Sequence, residues 1–282
     1  MTASELAKQA SDIFVLSDSF LQIKALIDDE SSTIDDIADV ILVDPALAAS
    51  VLKLANSSFF NYPRKIDTLS KAILVLGITE IYNLVIAKCT SDAFKNLEAD
   101  SKYLDNFWLD SVFTALVIKA LGHQLKVPNA ERLFVLGLLH NLGELVVAHY
   151  NPEVVEQATP GQGQLLPWHK QTQLLGFSYA QCSAELFKCW QLPFSIVEPI
   201  RRQDQDEELS SLNIDVKLLH VAKRIMLRQA YYDKLNYTDL INEQLLNEVS
   251  LTEQDLNKAL EFAQVEQFSI LAIIAPNAAN VF

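Results

Sequence analysis

Among the five histidines of this chain, His140 has the setting most suited to chemistry. A neutral imidazole can bind a metal or move a proton near neutral pH. His140 lies in Gly137-Leu138-Leu139-His140-Asn141-Leu142-Gly143, where two polar side chains interrupt an apolar stretch. Burying such groups is costly unless each is bonded. The pair is therefore either a hydrogen-bonded element of the core or part of a site. His123, His149, His169 and His220 have no neighbours at metal-ligand spacing, which points to helix-surface or boundary roles. Arg201-Arg202 offers an anion-binding pair, with a surface salt bridge to nearby acids as the plainer reading. No HExxH, GxSxG, GxGxxG or Walker-type loop occurs, which removes the common enzyme templates. Cys89, Cys182 and Cys189 form no CxxC pair, so neither a disulfide framework nor a zinc knuckle is expected. Cys182 and Cys189, seven apart on one helix face, read as buried thiols.

Residues of these types need a scaffold, and the composition says which kind. Half of the 282 residues are hydrophobic, with only 7 Gly and 9 Pro. That balance favours long helices over tight hairpins. The net charge of −14, with no compact Lys/Arg cluster in the sequence, argues against direct nucleic-acid binding. The first nine residues lack a basic region followed by an apolar stretch, so no signal peptide is expected. The longest apolar runs fall short of the ~20 residues that cross a bilayer. These features point to a soluble, cytoplasmic protein with no membrane partner.

Helical spacing recurs along the chain. Ile34, Ile37, Ala38 and Ile41 form one stripe, with Ser32 or Thr33 placed to cap it. Asp44-Pro45 restarts the chain as N-cap and first helical residue, and Ala48, Val51, Leu52 and Ala55 continue it. Asn56-Ser57 closes that helix, its polar groups capping backbone carbonyls, and 61–64 is a loop. A helix over 69–76 stops at Gly77, and another opens at Thr79 and runs to Phe94. A long helix over 103–125 precedes a helix over 130–141 that is apolar on nearly every side, the mark of a central element. Residues 144–150 continue beyond Gly143. Residues 159–167 read as a loop. Helices follow over 178–190 and 193–202, then a solvated charged segment over 201–208. Further helices are expected over 215–231, 237–247 and 252–268. Trp168 and Trp190 read as core or edge aromatics. No internal repeat and no strand is expected, so the fold class is all-α.

Several of these motifs occur in a recognisable order. Asp44-Pro45-Ala46-Leu47, Leu54-Ala55-Asn56-Ser57 and Leu76-Gly77 are followed by Phe107-Trp108-Leu109-Asp110-Ser111, the His140 segment and Trp190-Gln191-Leu192-Pro193. The combination resembles the HDOD family, the HD-related output domains of bacterial signalling proteins. It covers residues 14–205, leaving 206–282 as a C-terminal helical extension packed on or completing the HDOD core. The resemblance implies an HD-domain-like helical bundle related to metal-dependent phosphohydrolases, HD-GYP phosphodiesterases among them.

Catalytic HD domains hold divalent metal with a first His, a His-Asp pair and a later Asp. Carried over to this chain, Asp110 stands near the first His, His140 matches the His of the pair, Asn141 replaces its Asp, and Lys223 replaces the closing Asp. An amide and an ammonium in place of two anions oppose a dication. The resemblance therefore implies a degenerate site with no cofactor and no turnover. His140 and Asn141 would then be a hydrogen-bonded remnant used for packing. The leading expectation is a regulatory protein that binds a signalling partner. The alternatives are a phosphohydrolase with an altered ligand set (a metal held by Asp110 and His140), or a pocket that binds a nucleotide or cyclic dinucleotide without cleaving it. In that last case Arg201, Arg202 or Lys223 must face the pocket.

Overall fold

The protein was analysed as a computed structural model, which describes residues 1–282 apart from 58, 59, 61, 161–164, 206–208, 232–239, 277, 281 and 282. Among the described residues every regular element is helical. The chain forms two compact units. One comprises Met1–Ile13 and Leu97–Val265, the other Phe14–Asn96 and Glu266–Phe282. Both are discontinuous, so residues 206–265 belong with the central helices and 266–282 with the N-terminal ones.

The unit containing Phe14–Asn96 is built from α2 (Asp18–Asp28), α3 (Ile34–Val43), α4 (Pro45–Ala55), α5 (Leu69–Leu76) and α6 (Ile78–Ala93). Local sequence explains its turns. Thr33 and Asp36 form a reciprocal capping box at the start of α3. Asp44 ends α3 and caps α4, accepting from the amides of Ala46 and Leu47 at 3.0 Å each. Asn56 does more than cap. Its Nδ2 donates to the carbonyls of Leu52 (2.8 Å) and Ile66 (2.7 Å), and its Oδ1 accepts from the Ile66 amide (2.8 Å). It thereby staples the end of α4 to the chain entering α5. The helix over Leu69–Leu76 has the expected bounds and stops at Gly77, whose φ is 91°. The expected loop over 61–64 includes residue 61, which lies outside the described residues.

The other unit holds α1 (Ala3–Ile13), α7 (Ser101–Gln124), α8 (Arg132–Leu139), α9 (Leu142–Tyr150), α10 (Pro152–Ala158), α11 (Pro167–Leu175), α12 (Tyr179–Cys189), α13 (Phe194–Arg202), α14 (Ile214–Ala230) and α15 (Glu243–Glu248). The final helix, α16 (Glu253–Ile274), contributes residues to each unit. In the larger unit α8 is the central helix, as its all-round apolarity predicts: Leu133–Leu139 are buried without exception. It packs along α7, and α14 packs on both. Two glycines set the closest approaches. A Cβ on Gly137 would strike the Ala115 backbone of α7, and one on Gly143 would strike the Tyr179 carbonyl of α12. Glycine at these positions lets α7 and α12 close onto the α8–α9 junction.

Some expectations change. Helices α1, α2, α10 and α11 lie outside those expected from spacing. The last helix runs past residue 268, because Ile270, Leu271 and Ile274 continue its buried stripe. Residues 232–239, where part of the 237–247 helix was expected, lie outside the described residues; the helix seen there starts at Glu243, capped by Asn242. Within 201–208, Arg201 and Arg202 form the last turn of α13 and Gln203 is fully buried, so the segment is not uniformly solvated. Residues 206–208 lie outside the described residues, as do 161–164 of the expected 159–167 loop. Cys182 is buried but Cys189 is exposed, because Cys189 is the final residue of α12, beyond the packed part of that face. The 19-residue stretch Arg132–Tyr150 is long and apolar enough to meet a membrane-span criterion, but 72% of its span window is buried within the protein.

Candidate functional site

The break between α8 and α9 places His140 and Asn141 at the base of a cavity of about 200 Å³ in the larger unit. Asp110, Glu144, Tyr179 and Lys223 also line it. Asp110 comes from α7, Glu144 from α9, Tyr179 from α12 and Lys223 from α14. Asp110, His140, Asn141 and Lys223, distant in sequence, thus share one cavity. Arg201 and Arg202 are absent from its lining. Arg201 is bonded to Glu185 at 2.8 Å, and Arg202 lies 3.9 Å from Glu198 and donates to Gln205. Arg201 and Arg202 are thus paired with side chains outside the cavity.

His140 is 1% exposed, and its Nδ1 lies 2.7 Å from the Gly137 carbonyl. A carbonyl oxygen only accepts, so Nδ1 carries the hydrogen and Nε2 presents a lone pair. Burial, reinforced by Lys223, holds the imidazole pKa down to about 3, so the ring is neutral at physiological pH. Its Nε2 is buried and, among the described residues, has no hydrogen-bond partner. His140 and Asn141 do not form a pair with one another. Asn141 Nδ2 instead donates to Glu144 Oε2 at 2.6 Å, which turns Asn141 Oδ1 into a second buried, unpartnered acceptor. The other Glu144 oxygen accepts from the Tyr103 hydroxyl at 3.1 Å.

The two acids of the cavity repel one another. Burial raises the pKa of Glu144, against the pull of Tyr103 and Asn141. Burial and then the Glu144 charge push Asp110 up to about 7. Asp110 is therefore a half-buried cavity acid rather than a solvated helix residue. Burial drives the Tyr179 hydroxyl pKa far upward, so it stays protonated, and it too lacks a partner.

Lys223 is 4% exposed and forms a short ion pair with Asp204. Its ammonium also sits 4.8 Å from the centre of the Trp168 ring, which Arg224 approaches at 4.6 Å. Trp168, only 2% exposed, is a core aromatic, and Trp190 is buried as well. Behind the cavity, Gln203 links three elements. Its side chain donates to the His140 carbonyl at 2.7 Å, and its own carbonyl lies 3.0 Å from His220 Nδ1. His220 is thus a buried strut, 3% exposed, rather than a surface residue.

Sequence reasoning missed Glu144, Tyr179, Gln203 and Asp204. For Glu144 a signal existed: it is the one acid in the apolar run 142–147, three residues after Asn141. The others depend on contacts between separate helices, which linear spacing does not reveal. A second, open cleft lies in the unit containing Phe14–Asn96, where Lys53, Arg64 and Lys65 converge. Ten residues separate Lys53 from Arg64, so this local cluster of cations is not apparent in the sequence.

The donor set does not fit the metal centre that HD-type relatives imply. Among the described residues no three His, Cys, Asp or Glu side chains converge to hold an ion. The cavity offers one imidazole, one amide oxygen and the Asp110 carboxyl, with Glu144 already bonded through both oxygens. A fixed ammonium, Lys223, stands in the wall. Nearby charges of this kind work strongly against a dication in a partly buried site.

The HDOD domain model matches residues 13–206. A curated protein of Treponema pallidum (strain Nichols), itself uncharacterized, is 26% identical over 271 residues. The match covers 93% of this chain and 52% of that protein, so the chain spans about half the length of this relative. A crystal structure of an HDOD domain protein of unknown function from Geobacter sulfurreducens matches with a TM-score of 0.73 and 21% identity, covering 96% of this chain and 98% of that one. A Shewanella amazonensis SB2B protein, named as a candidate phosphohydrolase, matches with a TM-score of 0.71 and 23% identity, covering 96% and 98%. At such identities the two structures support the fold alone.

Proposed function

The chain belongs to the HDOD family, and we propose that it is a regulatory module which acts by binding a signalling protein rather than by hydrolysing a phosphoester. The observation that carries this reading is the Lys223–Asp204 ion pair in the cavity wall. Lys223 stands where the HD pattern calls for a closing acid, and its ammonium already occupies Asp204. Asn141 supplies an amide where the pattern calls for a carboxylate, and that amide is spent on Glu144. A hydrolytic site must acidify a water with a cation held by anionic ligands, and these two substitutions remove that support. The output role implied by the family supports a protein partner. The absence of a suitable ligand set leaves recognition as the activity such a module can perform.

The test is turnover. The purified 282-residue chain, assayed against phosphomonoester and phosphodiester substrates with Mn²⁺, Mg²⁺ or Ni²⁺, is expected to show none above the metal-only rate. Metal-dependent hydrolysis that disappears in His140→Ala would overturn the proposal. The lone pair at His140 Nε2 favours that second reading, a phosphohydrolase with an altered ligand set using Asp110 and His140.

A further inference from the structure

The polar atoms of the cavity are unusual in being oriented by their neighbours and still lacking partners. The Gly137 carbonyl fixes the His140 tautomer, leaving the Nε2 lone pair. Glu144 fixes the Asn141 amide, leaving Oδ1. Neither atom has a partner, and neither can become a donor without giving up the bond that orients it. Leaving buried polar atoms unpartnered is costly, so a group that satisfies both at once would be strongly favoured. That group must donate hydrogen bonds.

The remaining lining narrows its chemistry. Two carboxyl groups, Asp110 and Glu144, face the same space, and Lys223 is neutralised by Asp204. The phosphate groups of a nucleotide present acceptors and negative charge, so placed here they would set lone pairs against lone pairs and anions against anions. A nucleotide or cyclic dinucleotide is therefore disfavoured, all the more because Arg201 and Arg202 do not line the cavity. A bare metal ion is disfavoured by the poor donor set and by the Lys223 charge. The cavity, at about 200 Å³, is also far larger than one ion requires. Its walls include Tyr103, Phe107, Tyr179 and Tyr231, and aromatic rings attract organic cations.

We propose that this cavity binds a small organic cation, an ammonium or guanidinium group on a short apolar or aromatic body. Its N–H donors satisfy His140 Nε2 and Asn141 Oδ1, and Asp110 supplies the counter-charge. The proposal rests on the non-hydrolytic reading of this cavity and names the ligand class that the same site takes.

Isothermal titration calorimetry on the 282-residue chain tests it, with benzylamine and agmatine as probes and benzyl alcohol, benzoate and Mn²⁺ as comparisons. At least one of the two cations is expected to bind one-to-one with a Kd of about 1 mM or tighter, while benzyl alcohol and benzoate give no saturable heat. Asp110→Asn, which keeps the shape of the side chain, should weaken binding at least about tenfold while the far-UV circular dichroism stays unchanged. Tyr179→Phe serves as a second variant and should weaken it less. No saturable heat from either cation, equal binding of benzoate, or undiminished binding by a folded Asp110→Asn protein would each overturn the assignment. Stoichiometric Mn²⁺ binding would overturn it together with the non-hydrolytic reading. Failure of the amines without Mn²⁺ binding would sink only the ligand class.

Discussion

Lys223 and Asp204, on different elements and nineteen residues apart, form an ion pair with side chains 5% and 12% exposed. The second Asp204 oxygen is buried and unpartnered, so the lysine is the principal compensation for that charge. Breaking such a pair from one side leaves an isolated buried charge. Lys223→Met should therefore destabilise the protein by about 3–5 kcal/mol. Lys223→Met combined with Asp204→Leu should recover most of that loss, because the charge then goes too. Urea denaturation of the parent and the two variants measures both effects; a mild single variant would mean that Asp204 reaches water.

The pH dependence follows from four buried groups with displaced pKa values. His140 and His220 are both held down to about 3. Their folded-state pKa values lie below the unfolded value, so their contribution is complete above about 6.5 and is lost as pH falls toward 3. Asp110 is displaced the opposite way, up to about 7. Its protonated form is favoured by folding, so stability is lost as pH rises from about 4 to 7. Burial raises Glu144 as well, so below about 6.5 two acids oppose the two histidines and stability changes little with pH. Beyond about 6.5 only the acids still change, and stability falls. Asp110→Asn should abolish most of the decline on the alkaline side and be more stable than the parent at pH 8. Melting temperatures across pH 5 to 9 decide it; an unchanged alkaline limb would show that Asp110 is well solvated.

The helical course of the chain was legible because it is written in local signals. Asp44-Pro45, Gly77 and the stripe from Ile34 to Ile41 act within one or two turns, and the structure places caps and ends at or beside them. Helix α8 was legible because Leu133–Leu139 leaves no polar face to expose. The site was legible only in part. His140 and Asn141 are conspicuous as polar residues in apolar surroundings, and the family pattern led to Asp110 and Lys223. What those residues do was not legible. The bond from Asn141 to Glu144 runs within one helical turn and could be suspected. The pairing of Lys223 with Asp204, the strut from Gln203 to His220 and the exposed end of α12 at Cys189 depend on which helices meet, and that is decided by packing.

Gly143 illustrates how packing limits the site. Its amide donates to Ser183 Oγ at 2.7 Å, and Ser183 in turn donates to the Tyr179 carbonyl at 3.0 Å. A methyl group at residue 143 would strike that carbonyl and the Ser183 amide. Overpacking of this kind costs about 1–3 kcal/mol or more, and here the struck atoms are backbone and cannot rotate away. Gly143→Ala should cost about 3 kcal/mol, whereas Ser183→Ala, which removes two hydrogen bonds and leaves the Gly143 amide without its acceptor but forces no backbone apart, should cost about 2 kcal/mol. Denaturant midpoints compare them. Equal costs would show that α9 and α12 can separate without penalty.

Asn141→Asp tests the degenerate reading from the opposite direction, by restoring the residue that the HD pattern carries. The amide of Asn141 now donates to Glu144 at 2.6 Å. A carboxylate there removes the donor and sets a third acid beside Glu144 and Asp110, so like charges crowd a site that is partly closed to water. The variant should be less stable than the parent by several kcal/mol at pH 8 and recover as the pH is lowered, since protonation relieves the crowding. A dication relieves the same repulsion. Millimolar Mn²⁺ should therefore raise the melting temperature of Asn141→Asp while leaving that of the parent unchanged. Turnover should still be missing from the variant, because Lys223 continues to hold a positive charge in the wall. If Mn²⁺ stabilised the parent as strongly as the variant, the amide at 141 would not be what keeps metal out.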